Sequence, residues 1–209
     1  MRLAATLRAL GLPILLACVS LTLWACDQSD ASALKITLKA DFSGEVLASS
    51  ILVKPAEGPA QKAASGATWS TSGAVVVSRG TFADITKLEL GGIKFAVGGP
   101  GGDPMLRVTL PRGSDAKWPA LFTDTSKDAR RAAAGALEPS AKNPTIGDTV
   151  KIEITIPGVV VTAGETSKAR GVNSSFEESR ATLLIPVEAA LAPGDPIVWH
   201  VTWREASVR

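Results

Sequence analysis

The 209-residue chain has no tyrosine, five phenylalanines, one histidine and two cysteines. Each scarcity removes a class of chemistry. The lone histidine, His200, lies in a strand-like stretch beside two tryptophans and reads as a solvated strand residue. Nucleophile–base catalysis needs a His close to a Ser or Cys, so that chemistry has no base here. Zinc needs three or four convergent His, Cys or acidic ligands, and the chain cannot assemble them from its histidine and cysteine. No dense acidic loop suits calcium, since Glu177-Glu178 is only a charged pair. The run Gly98-Gly99-Pro100-Gly101-Gly102-Asp103-Pro104 lacks the Lys-Ser/Thr and the helix of a phosphate loop. No metal and no cofactor is expected. Charge of one sign is missing too: without residues 1–25, which hold two arginines and no acid, twenty basic residues face twenty acidic ones. Such balance gives no argument for nucleic acid as a partner.

What the chain does have is a leader. Arg2 and Arg8 precede an apolar run from Ala9 to Ala25, which closes on Leu23-Trp24-Ala25-Cys26 and turns polar at Asp27. A positive start, an apolar centre and a small residue before the cut describe a secretory signal. The run is short for a spanning helix of about 20 apolar residues. Cys26 closes it as a bacterial lipoprotein signal closes, and Cys26 is the expected lipidation site. Trp24 is bulky for its place in such a box. Leu15-Leu16-Ala17-Cys18 is a second candidate, but it would leave the apolar stretch from Val19 to Trp24 on the mature chain. Lipid chains contribute about 0.8 kcal/mol per buried methylene, and two of them anchor stably. The expected partner of Cys26 is therefore a membrane, with the domain facing the periplasm or cell exterior. Asp27 resembles an inner-membrane retention signal of enteric-type bacteria. Both cysteines fall at or before the cut, so no disulfide staples the mature domain.

The expected organisation is a signal at 1–25, a lipidated N-terminus and tether at 26–33, and one globular domain at 34–209. Alternation of apolar and polar residues marks strands in Leu34–Ala40, Leu106–Leu110, Val150–Ile156 and Ile197–Trp203. Val46–Val53, Gly73–Ser78, Ile93–Val97 and Ala181–Val187 read as further strands. Asp41-Phe42-Ser43-Gly44 has hairpin chemistry. Helical spacing appears in Thr81–Leu90, around Trp118, Leu121 and Phe122, and in Lys127–Leu137. The fold class that follows is α+β, a curved antiparallel sheet with one or two helices on one face. A β-sandwich is the runner-up. Residues 163–180 form the longest polar gap, either a functional loop or a long solvated hairpin. Lys127, Arg130 and Arg131 offer a solvated helix face, or contact with anionic head groups.

The box at Cys26, the Ser43-Gly44-Glu45-Val46 strand start, the Phe82 to Leu88 segment, Ile154-Thr155-Ile156-Pro157-Gly158 and the closing strand around Trp199 together resemble the LppM-type domain of bacterial lipoproteins. That resemblance implies a lipid-anchored, non-enzymatic α+β domain whose fold is likened to lipid-binding proteins. The chain departs from the pattern by a longer segment from Gly164 to Glu178 and by lacking Thr-Asn-Gly after Pro157-Gly158, so no functional residue is transferred. The expected role is a binding or structural module of the cell envelope, with a lipid or an envelope protein as partner. Its lipid-handling form expects an apolar cavity with Trp118 or Trp69 at the mouth. The alternatives are an envelope hydrolase working through two carboxylates, and a subunit of an envelope complex.

Overall fold

The computed structural model describes residues 28–51, 64–65, 68–72, 76–99 and 103–205. Cys26, Asp27 and the rest of the leader lie outside the described residues. Among the described residues thirteen strands run in chain order: β1 (Ala33–Leu38), β2 (Gly44–Ser50), β3 (Ala64–Ser65), β4 (Thr68–Ser72), β5 (Val76–Phe82), β6 (Glu89–Leu90), β7 (Lys94–Gly98), β8 (Met105–Leu110), β9 (Thr149–Thr155), β10 (Gly158–Glu165), β11 (Asn173–Glu177), β12 (Arg180–Pro186) and β13 (Ile197–Glu205). Among the described residues two α-helices accompany them, α1 (Lys127–Leu137) and α2 (Val187–Leu191). The fold is α+β, as the pattern predicts.

A seven-stranded sheet has the order β11-β12-β9-β1-β2-β5-β4, and a four-stranded sheet the order β10-β13-β8-β7. Alternation decides which side chains meet between them. Leu34, Ile36 and Leu38 of β1, Val150, Ile152 and Ile154 of β9, and Ala181, Leu183 and Ile185 of β12 are all buried. Ile197, Trp199, Val201 and Trp203 of β13 and Leu106, Val108 and Leu110 of β8 join them in one core. Tryptophan supplies the bulk that absent tyrosines do not. Trp199 and Trp203 are fully buried, and the Trp199 indole N–H donates to Ser174 Oγ at 2.9 Å. A buried indole needs such an acceptor.

One pairing breaks the antiparallel expectation. β1 runs parallel to β9, with Ala33 beside Lys151 and Thr37 beside Thr155. The long connection between them, from β2 through α1, is what parallel pairing demands.

Both α-helices gather at the rim where β1 and β9 begin and β2 and β12 end. The 3-10 turn Gln28–Ala31 sits there. Ser32 Oγ donates to the Phe122 carbonyl at 3.1 Å, and Ile51 N–H donates to the same carbonyl at 2.8 Å. Arg130 of α1 is buried and bonds Asp148 Oδ1 at 3.0 Å and the carbonyls of Asp124 and Thr125 at 3.1 and 2.9 Å. This guanidinium ties α1 to the start of β9. At the opposite rim Asp41 folds the β1–β2 turn by accepting from Ser43 N–H and Oγ. Phe42 there holds φ at 62°, a region that costs a bulky residue steric strain. Its ring meets Trp203 edge-on, with centroids 6.4 Å apart, which offsets that strain.

One expectation is corrected locally. Thr81–Leu90 is not one helix. β5 continues to Phe82, a 3-10 turn follows at Ile85–Lys87 capped by Asp84 rather than Thr81, and the chain then extends. Ile85, Leu88, Leu90 and Ile93 are all buried, so the segment follows the core and not a helical period. The gap at 163–180 is largely ordered: β10 reaches Glu165, and β11 forms a hairpin with β12 through Glu178.

Candidate functional site

The outward residues of the seven-stranded sheet are polar by the same alternation that buries the inward ones. They surround two adjoining hollows. One, of about 600 Å³, is lined by Lys35, Thr37, Glu45, Leu47, Arg79, Glu153 and neighbours on β1, β2, β5 and β9. The other, of about 770 Å³, is lined by Asp30, Lys35, Lys151, Glu153, Arg180, Thr182, Leu184 and neighbours reaching to β11. Lys35 and Glu153 border both, facing each other across the parallel β1–β9 pair.

An ion-pair network occupies the junction. Lys35 Nζ lies 2.6 Å from Asp30 Oδ2, Lys151 Nζ lies 2.9 Å from Asp30 Oδ1, and Lys151 Nζ lies 3.3 Å from Glu153 Oε2. Only 13% of the Lys151 side chain and 12% of the Glu153 side chain is exposed, low for an outer face. Burial pushes the Asp30 carboxyl up, but hydrogen bonds from Lys35 and Lys151 and their charges override it, so its pKa lies below 3.8. Burial pushes the Lys151 ammonium down, and Asp30 followed by Glu153 overrides that, so its pKa lies above 10.5. Asp30 belongs to the stretch expected as a tether. There it fastens that stretch to β1 and β9.

Beyond the network, Glu45 and Arg79 line the first hollow with Thr37, Thr81, Thr155 and Leu47. Leu47 faces Arg79 and Thr81 faces Glu45 across β2 and β5. Such a surface can hold a polar partner through mixed charges and hydroxyls. Among the described residues no group of three His, Cys, Asp or Glu could hold a metal ion.

The other singled-out residues are dispersed. His200 is half-buried on the outer face of the four-stranded sheet opposite Arg107. Burial first, then the Arg107 charge, lowers its imidazole pKa. Trp118 is buried and donates from Nε1 to the Pro111 carbonyl at 2.9 Å, so it stands at no cavity mouth. The Trp69 side chain lies outside the described set. Of the three cations proposed for head groups, Arg130 is buried and committed to its three acceptors. Lys127 lies 3.7 Å from Glu188, and Arg131 is exposed. Sequence reasoning missed the hollows, and the only signal for them was the alternating Lys, Thr and Glu of β1 and β9.

Among the described residues no helix is long and apolar enough to cross a membrane. No family model and no curated sequence matches the chain. Among solved structures, the chain resembles the folded domain of the LppM protein of Mycobacterium tuberculosis, determined by NMR, at 14% identity over 84% of this chain and 90% of that one, with a TM-score of 0.40.

Proposed function

We propose that this chain is a cell-envelope lipoprotein, anchored through a lipid on Cys26, that works as a non-enzymatic binding module through the outer face of its seven-stranded sheet. The observation that carries the reading is the leader. A basic start and an apolar run end at Leu23-Trp24-Ala25-Cys26, and the chain turns polar at Asp27. The domain faces the periplasm or the cell exterior, and Asp27 favours the inner membrane. A lipid-handling version would need an apolar interior cavity. Trp118, Trp199, Trp203 and Phe122 fill the core instead, so the binding surface proposed is the outer one. That surface mixes Lys35, Arg79 and Arg180 with Glu45, Glu153 and Glu177, which suits a polar partner of low net charge, such as an envelope protein segment, and not nucleic acid.

The test is intact-mass measurement of the mature protein extracted in detergent. A chain beginning at Cys26 with added acyl mass, lost in Cys26→Ala, is the expected result. A bare thiol or a retained leader would end the proposal.

A second reading has one observation in its favour: Glu45 and Glu153 line the same hollow. Their strands flank β1 and the two residues are offset by two positions along it, so the backbones are about 12 Å apart. Paired-carboxylate hydrolysis uses carboxyl separations of roughly 5–9.5 Å, which outward side chains could reach. Turnover of envelope glycans by the wild type, lost in Glu45→Gln and in Glu153→Gln, would favour this reading over the first.

A further inference from the structure

We infer that the rim formed by Gln28–Ala31, the Thr123–Ser126 turn and the start of α1 is the surface this domain presses against the bilayer. The inference rests on the anchoring proposed above and adds an orientation to it. Its ground is the shortness of the chain before the fold. Only Asp27 lies between Cys26 and Gln28, and two residue steps span at most about 7 Å. From Gln28 the chain is not free to swing. Asp30 is held by Lys35 and Lys151, Ser32 Oγ bonds the Phe122 carbonyl, and Lys151 N–H bonds the Ser32 carbonyl at 3.0 Å. Ser32 and Ala33 are fully buried. A lipid on Cys26 therefore pulls on a fixed point of the rim, not on a leash.

The same contacts say what shares that rim. Phe122 leads into Asp124 and Thr125, whose carbonyls Arg130 holds, and Arg130 also holds Asp148 at the start of β9. The exposed groups there are Thr125, Ser126, Lys127 and Asp128, with Glu188 of α2 beside Lys127. One cation stands there against two acids, so attraction to anionic lipid does not set the contact and the tether does. The β1–β2 turn stands at the other rim, seven residues along β1 from Ala33 to Ala40, about 23 Å away. The outer face then stands edge-on to the membrane. Its Asp30 end lies at the head groups and its Arg180 end points away.

The experiment uses the full-length lipidated protein in phosphatidylcholine vesicles carrying a nitroxide-headgroup lipid. The mature chain has no free thiol once Cys26 carries its lipid, so a single introduced cysteine takes a fluorophore cleanly. Labels go at exposed Thr125→Cys or Asp128→Cys and, in a separate protein, at exposed Ala40→Cys. Quenching at either rim position should be about twofold or more above that at Ala40→Cys, given their separation of about 23 Å. About twelve Gly/Ser residues inserted between Asp27 and Gln28, a coil of about 20 Å, should erase the contrast. Equal or reversed quenching in protein of confirmed lipid mass overturns the orientation and leaves the anchoring intact. Contrast that survives the insertion overturns the tether as its cause. Absence of the lipid mass overturns the anchoring, and the orientation with it.

Discussion

Asp30→Asn tests whether the N-terminal segment is fastened as the contacts require. The substitution keeps size and removes the charge that Lys35 and Lys151 share. Hydrogen bonds to charged groups contribute about 1.5–3 kcal/mol when buried, and exposed ion pairs about 0–1 kcal/mol. Asp30 and Lys35 are 26% and 34% exposed and Lys151 is 13% exposed, so the pair of bonds falls between these limits. Lys151 keeps Glu153 after the change, which reduces the loss. About 1–2 kcal/mol in total follows, or about 3–6 °C in melting temperature for a domain of this size. The pH dependence gives the prediction its sign. Asp30 has a folded pKa below its unfolded value of 3.8, so its contribution is present above 3.8 and disappears as pH falls through the lower folded value. Lys151 has a folded pKa above 10.5, so its part is present below 10.5 and disappears as pH rises beyond the folded value. Thermal unfolding followed by circular dichroism should show Asp30→Asn melting below wild type at pH 7. The two curves should converge in acid, where wild-type Asp30 is itself neutral. Equal melting at pH 7, or a gap unchanged in acid, would refute the clamp.

The remaining predictions follow from burial and close approach. Trp203→Ala removes a fully buried side chain and the Phe42 contact, and should cost about 3–5 kcal/mol in urea unfolding. Arg130→Met strands Asp148 and two carbonyls at the rim and should cost about 3 kcal/mol by the same assay, with Arg130→Lys only partly restoring it because an ammonium cannot span all three acceptors. Gly44→Ala places a Cβ against the Thr37 carbonyl oxygen and the Phe82 ring, so a lowered melting temperature is expected even though alanine is a small residue.

Much of the fold was legible because period-2 alternation survives in the residues themselves. Lys35 and Thr37 between Leu34, Ile36 and Leu38, or Lys151 and Glu153 between Val150, Ile152 and Ile154, declare a wet face and a dry one. α1 was legible at both ends, since Lys127–Leu137 is rich in alanine and stops before Pro139. β10 was hidden because Val159-Val160-Val161 does not alternate. A bulge between Val160 and Thr162 breaks its register, and Val159 and Val161 are exposed. Phe82, Ile85 and Leu88 carried a helical spacing, but all three answer to core contacts, from a strand end and a single 3-10 turn. The site was the least legible part. Outward Lys, Thr and Glu look alike on any half-wet sheet, and the hollows come from how the strands curve. The pairing of Asp30 with Lys151 joins segments whose proximity no local pattern records.

The parallel neighbour of β1 sets the order in which this molecule can come together. Ala33 waits for Lys151, and the chain between them must be available before the centre of the larger sheet exists. A polypeptide delivered N-terminus first would carry β1 with one flank unsatisfied through most of its delivery. Contacts of such long range close slowly, on the scale of milliseconds to seconds. The β9 flank of β1 thus closes only after the chain through Lys151 has been delivered.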